Sequence, residues 1–210
     1  MFQECALIIF ARNPVFGQVK SRIAKRTDPE TALSIYNQLL AITRENVKTF
    51  KGVTFVFYSS YIEQNDIWVN VEKRLQSPDD NLGKRLKAAL RSLNDVYKYK
   101  IIIGTDCPEL SEHIINQALV ALKDHDVVIG PAKDGGYYLI GLTQDYTTLF
   151  EEIHWGSSEV LAQTLNQVNQ LNLSCALLPE LHDVDEISDW EQYLSRLRDK
   201  TSTPYEQNYK

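Results

Sequence analysis

Along the chain, short runs that are apolar at nearly every position alternate with longer stretches whose apolar positions recur every three to four residues. The first pattern belongs to buried strands, the second to helices with one covered face. Ala6–Ala11 (ALIIFA) predicts a first strand, and Arg12–Ser21 a loop punctuated by Pro14 and Gly17. Glu30–Phe50 predicts a helix, because Leu33, Tyr36, Leu40, Val47 and Phe50 fall near one face. Val53–Tyr58 is β-branched and aromatic and predicts a second strand. A helix over Leu82–Leu93 and a third strand over Lys100–Gly104 come next.

The alternation continues. Ser111–Lys123 opens with a serine of capping type and puts Ile114, Ile115, Ala118, Leu119 and Leu122 on one face. Asp126–Gly130 and Gly136–Gly141 predict strands, Ser157–Leu171 a helix, Leu173–Leu178 a late strand and Asp185–Arg198 a closing helix. Repeated β-then-α with apolar strands predicts an α/β fold, a mostly parallel sheet covered on both faces. There is no internal repeat and no linker, so residues 1–198 are expected to form a single domain, followed by a polar tail at 199–210 that need not be ordered. The length of 210 residues suits one well-buried core.

Composition narrows the partners. Hydrophobic residues at 43% and charged residues at 24% are ordinary for a globular protein and argue against disorder. A net charge of −6 argues against nucleic acid and acidic membrane surfaces. A small anionic substrate stays open, provided a basic cluster or a bound cation offsets that charge locally. Cys5, Cys107 and Cys175 form no CxxC pair, which excludes a disulfide scaffold and a thiolate zinc site and suits a reducing cytoplasm. The apolar run Cys5–Ala11 lacks the preceding positive charge of a signal peptide and falls far short of the roughly 20 residues of a membrane span. The expected location is cytoplasmic.

In sheets of this kind ligands bind outside the carboxyl ends of the strands, which singles out the loops after Ala11, Gly104 and Gly130. The first loop gathers Arg12, Lys20 and Arg22 within eleven residues, with Gly17 permitting a close backbone approach. It reads either as a phosphate-binding loop or as a solvated basic one, and it matches neither GxxxxGK[ST] nor GxGxxG. In the second, Asp106 sits on a bend enforced by Pro108, where it can ligate Mg²⁺ or Mn²⁺ beside substrate phosphates, or merely cap the next helix. Cys107 reads as a small core residue. The third loop carries Asp134-Gly135-Gly136, which brings a carboxylate to a ligand or simply makes a hairpin turn. His154 either touches substrate or caps and packs, and Trp155 reads as core or pocket wall. Asp183-Val-Asp185 points two carboxylates the same way, for one shared ligand or as a helix cap.

Six segments in order carry a resemblance: Phe10–Arg22, Gln76 with Leu82–Arg85, Gly104–Leu110, Gly130–Leu142, Trp155–Ser157 and Asp183–Asp185. They match the run FAR-x-P-x-x-G-x-VK-[TS]-R, Q…LG-x-R, GTDCPEL, GPA-x-DGGYYLIGL, W-[GS]-[ST], DVD. The chain so resembles a bacterial family of GT-A type, long catalogued as of unknown function and associated with selenium or arsenosugar gene neighbourhoods. That family is similar to nucleotide-diphospho-sugar transferases and to the phospholactate guanylyltransferase. The resemblance implies a three-layer α/β/α sandwich with a nucleotide site at the first loop. It implies phosphate contacts from Arg12, Gly17, Lys20 and Arg22, and base or ribose contacts from Gln76 and the stretch containing Asn81, Gly83 and Arg85. Asp106 with Asp183 or Asp185 would hold Mg²⁺ or Mn²⁺, Asp134 would face the acceptor, and Gly135, Gly136, Tyr137, His154 and Trp155 would line the substrate pocket. Two departures stand out: the first loop lacks the paired glycines of the nucleotidyltransferase signature, and the central motif is TDCP rather than D-x-D.

These readings predict an enzyme that moves a group from a nucleotide-activated donor, foremost a glycosyl group from a nucleotide-sugar to a small acceptor. A nucleotidyltransferase that joins an NTP to a phosphorylated small molecule is the alternative, and a non-catalytic nucleotide-binding regulator is a third reading.

Overall fold

The computed structural model describes residues 4–201. Seven strands form one sheet: β1 (Cys5–Ala11), β2 (Val53–Tyr58), β3 (Glu72–Leu75), β4 (Tyr99–Ile103), β5 (Val127–Pro131), β6 (Tyr137–Leu142) and β7 (Cys175–Leu177). Their order across the sheet is β3-β2-β1-β4-β6-β5-β7. β1 pairs in parallel with β2 and β4, β2 with β3, and β5 with β7, whereas β6 runs antiparallel to both β4 and β5. The sheet is therefore mostly parallel but mixed. Only residues 132–136 join β5 to β6, too few for a parallel crossover, which takes a dozen or more.

The described residues form six α-helices, α1 (Ser21–Arg26), α2 (Pro29–Val47), α3 (Leu82–Arg91), α4 (Glu112–Ala121), α5 (Val160–Gln170) and α6 (Ile187–Thr201); α2 and α4 pack on one face of the sheet and α3 and α5 on the other. α2 starts where Asp28 accepts from the Thr31 amide at 2.8 Å with Pro29 behind it. α3 is capped by the Asn81 side chain, which accepts from the Lys84 amide at 3.1 Å. Ser111 stands at the N-cap of α4, yet its hydroxyl makes no capping bond. The closing helix runs on to Thr201, so residues 199–201 are helical rather than tail; residues 202–210 lie outside the described part.

Alternation along β1 builds two cores. Cys5, Leu7, Ile9 and Ala11 pack with Tyr36, Leu40 and Val47 of α2 and with Ile115, Ala118 and Leu119 of α4. Ala6 and Ile8 face the other way, onto Leu86, Ala89 and Leu90 of α3 and Val168 of α5. Each fully buried aliphatic side chain contributes about 1.5–3 kcal/mol. A third cluster joins Ile23 of α1 and Ile35 and Leu39 of α2 to Val184 and to Trp190 of α6. It pins the segment before α6 against the first loop, which is what brings residues so distant in sequence to one place. No helix among the described residues is long and apolar enough to cross a membrane.

Candidate active site

β1 lies between β2 and β4, so the chain leaves β1 toward one side of the sheet and the β4 loop toward the other. The crevice between such diverging loops is where sheets of this class bind ligands. Asn13 is buried and ties the first loop to the one after β2: its Oδ1 accepts from the Ser60 and Tyr61 amides at 3.0 and 3.3 Å, and its Nδ2 donates to Tyr61 O at 2.9 Å. The Tyr36 hydroxyl accepts from Arg12 N at 2.9 Å and donates to Arg12 O at 3.1 Å. Burial, first of all, pushes this phenol up to about 12, so it stays protonated and can serve as donor and acceptor together.

Lys20 closes the loop in a left-handed conformation, φ 46° and ψ 50°, which costs a non-glycine residue about 1–3 kcal/mol. Its side chain is only 7% exposed and ends among oxygens: Nζ is 2.7 Å from Asp106 Oδ1, 3.7 Å from Asp185 Oδ1, and donates to Val184 O at 2.6 Å. Arg22 Nη1 reaches Asp185 Oδ2 at 3.1 Å. The Val184 amide donates to Asp106 O at 2.8 Å, so the second loop and the Asp183–Asp185 segment are fastened together. Neither acid is a helix cap: Ser111 holds that place for α4, and Asp189 accepts the Asp185 and Glu186 amides before α6. Asp183 is pushed up to about 7, first by burial, then by the carboxylates of Asp106, Asp134 and Asp185, with Lys20 pulling the other way.

Two cavities of about 410 and 400 Å³ open here and share a wall made by Phe10, Leu82, Gly104, Arg22 and Asp185. The first is polar and takes Arg12, Lys20, Arg85 and Asp106. The second is lined by Leu86, Ile140, Tyr137 and Trp155, with Asp134 and Asp183 at its edge. Trp155 sits edge-on to Tyr137, ring centroids 6.3 Å apart, and 6.3 Å from Phe150. At Gly104 no atom lies within 4 Å of where a Cβ would stand, so the partition between the cavities is thin.

The third loop takes the hairpin form, with Gly135 N donating to Ala132 O at 3.1 Å, and Asp134 stands at a cavity wall. Asp134 Oδ1 accepts from the Gly136 amide at 2.8 Å. Gly135 has φ +90°, and a Cβ there would stand 2.1 Å from Ser158 O. Only glycine fits.

Several expected ligand contacts take other places. Gly17 lies in an exposed turn with φ +73° and lines neither cavity. Gln76 borders the first cavity, but its Nε2 donates to Phe57 O at 2.9 Å and its Oε1 accepts from Arg85 at 3.2 Å, so it supports Arg85. Asn81 caps α3, and Gly83 makes room for Phe150 O and the Trp155 indole. His154 is exposed and turns to Gln163 and Glu159 rather than to a cavity. Tyr36, Asn13 and Ser158 were not anticipated from sequence. Asn13, a polar residue beside Pro14 in a loop of cations, was the one visible signal among them.

The carboxylate oxygens of Asp106, Asp183 and Asp185 are of the kind that Mg²⁺ and Mn²⁺ take. Nevertheless no three His, Cys, Asp or Glu side chains among the described residues are grouped so as to hold a metal ion, and the Lys20 ammonium stands between Asp106 and Asp185. In this arrangement the site does not fit a divalent ion.

Residues 42–157 match a bacterial family described as an uncharacterized protein conserved in bacteria (DUF2064). The chain belongs to this family. No curated protein matches this DUF2064 chain. Among solved structures it is similar to a candidate nucleotide-diphospho-sugar transferase from Desulfovibrio desulfuricans G20, at 26% identity and TM-score 0.84, over 95% of this chain and 89% of that one. It is also similar to the 4-diphosphocytidyl-2C-methyl-D-erythritol synthase of Anaerococcus prevotii DSM 20548, at 11% identity and TM-score 0.60, over 92% and 98%. A manganese complex of Rv0371c from Mycobacterium tuberculosis H37Rv is 11% identical with TM-score 0.57, over 93% and 100%. The fold of this DUF2064 chain is thus the α/β sandwich of nucleotide-diphospho-sugar transferases.

Proposed function

We propose that this chain is a transferase that uses a nucleotide-activated donor, and foremost that it moves a glycosyl group from a nucleotide-sugar to a small acceptor. One observation carries the reading: a cavity rich in cations shares a wall with an apolar, aromatic one edged by a carboxylate. Arg12, Lys20 and Arg22 meet the diphosphate, where negative charge grows as the sugar–oxygen bond breaks. Arg85 faces the same cavity from α3 and suits the base or ribose. The acceptor lies against Tyr137, Trp155 and Gly136, its hydroxyl oxygen attacks the anomeric carbon, and its proton passes to Asp134 in an inverting transfer. Asp106, Asp183 and Asp185 would be the residues to take Mg²⁺ or Mn²⁺, but only in an arrangement in which the Lys20 ammonium no longer stands between Asp106 and Asp185. The chain through the end of α6 acts as one domain, working in the cytoplasm.

Likeness to the diphosphocytidyl-methylerythritol synthase favours nucleotidyl transfer as the second reading. Products separate the two. A nucleoside diphosphate released from a nucleotide-sugar supports glycosyl transfer, whereas pyrophosphate released from an NTP replaces it with the alternative. A thermal-shift screen of NTPs and nucleotide-sugars selects the donor first, since a ligand that binds only the native state raises its stability.

A further inference from the structure

Lys20 stands where a cation shared by Asp106 and Asp185 would stand. Its ammonium touches one oxygen of Asp106 at 2.7 Å, approaches one of Asp185 at 3.7 Å and donates to Val184 O at 2.6 Å. With 7% of its side chain exposed, it has exchanged most of its water for these oxygens. A left-handed backbone at residue 20 holds it there, and the bond from Val184 N to Asp106 O holds its acceptors together. A divalent ion on the same carboxylates would face a like charge at contact distance, which is repulsive at any dielectric.

We propose that Lys20 is the resident cation of this acidic corner, and that a divalent ion binds Asp106 and Asp185 only once Lys20 has left them. The inference is independent of which group the enzyme transfers. It carries a linkage: an anion that draws the ammonium outward frees both carboxylates, so anion and metal strengthen each other's binding by the same factor.

The test is a titration of Mn²⁺ alone, without nucleotide, into the full chain, with free Mn²⁺ read by electron paramagnetic resonance. Lys20→Met should bind Mn²⁺ about tenfold tighter or more than the wild type, the scale of one partly buried ion pair that no longer has to break. Equal affinity, weaker binding by the variant, or no binding by either overturns the proposal. If Lys20→Met does not fold, a crystal structure of the wild type grown with Mn²⁺ decides. Mn²⁺ on Asp106 with Lys20 turned away, or Lys20 in place with both carboxylates metal-free, supports it. Mn²⁺ on Asp106 with Lys20 still within about 4 Å of both carboxylates refutes it.

Discussion

The two cavities share a wall and about the same volume, yet they are built by opposite means. The polar one is assembled by side chains reaching across the fold: Lys20 to Asp106 and Asp185, Arg22 to Asp185, Arg85 to Gln76. The apolar one is shaped by backbone, through a hairpin that only glycine can make at residue 135 and that locks onto the start of α5 by a 2.9 Å bond from Leu161 N to Gly135 O. The charge of the polar cavity rests on long-range ion pairs, and the shape of the apolar one on local turn geometry. The two should fail in different ways.

The largest effect is expected at the carboxylate that edges the apolar side. Asp134→Asn keeps an oxygen for the Gly136 amide but removes the proton acceptor, so kcat should fall by about 100-fold to 10,000-fold with donor KM little changed. Steady-state kinetics check this, and an unaltered kcat would deny Asp134 that role. Next comes the hairpin itself: Gly135→Ala sets a methyl group against Ser158 O and forces φ +90° on a residue with a side chain. Loss of about 3 kcal/mol is expected in urea unfolding. A variant as stable as the wild type would mean that the backbone does not shape that wall.

On the polar side, Arg12 lines the cavity without an ion pair among the described residues, so its loss leaves no buried charge behind. Arg12→Ala should raise donor KM about tenfold with a smaller change in kcat, as removal of one phosphate contact does. A change in kcat alone would move Arg12 from binding to the chemical step. The smallest effect is a control at the opposite end of β5. The Ser174 hydroxyl and amide, then the Tyr146 hydroxyl, hold the Asp126 carboxyl below its usual range. A depressed carboxylate contributes stability above its unfolded pKa and loses it as pH falls through the folded one. Asp126→Asn should therefore melt slightly below the wild type at neutral pH, and the gap should close on acidification. Asp126→Asn and the wild type should turn over substrate alike.

Much of this was legible in the sequence, for identifiable reasons. Val53–Tyr58 coincides with β2 because its last four residues, Phe55–Tyr58, form an unbroken apolar and aromatic run that the sheet buries. β3, Glu-Lys-Arg-Leu, was missed because an edge strand half open to water needs no apolar pattern. The direction of β6 was left open between two readings of the Asp134-Gly135-Gly136 loop, although the five-residue connection before it already excluded a crossover and favoured the hairpin. In the site, Lys20, Asp106 and Asp185 could be nominated by type and by their place after strands, but no local pattern says that they touch. His154 and Gly17 were nominated on the same grounds and lie elsewhere, since a loop's composition does not say which way its side chains turn. Asn81 and Gly83 turned out to serve the helix and its packing, roles that the spacing alone left equally open.

The bond between Arg22 and Asp185 spans 163 residues. At about 5–20 residues per second, a ribosome delivers the basic loop on the order of ten to thirty seconds before the acid that partners it. Through that interval the nascent chain presents Lys20 and Arg22 without the Asp185 carboxylate that pairs with them. The loop therefore gains the Asp185 counter-charge only after residue 185 has been made, and until then Arg22 has no acidic partner from that segment.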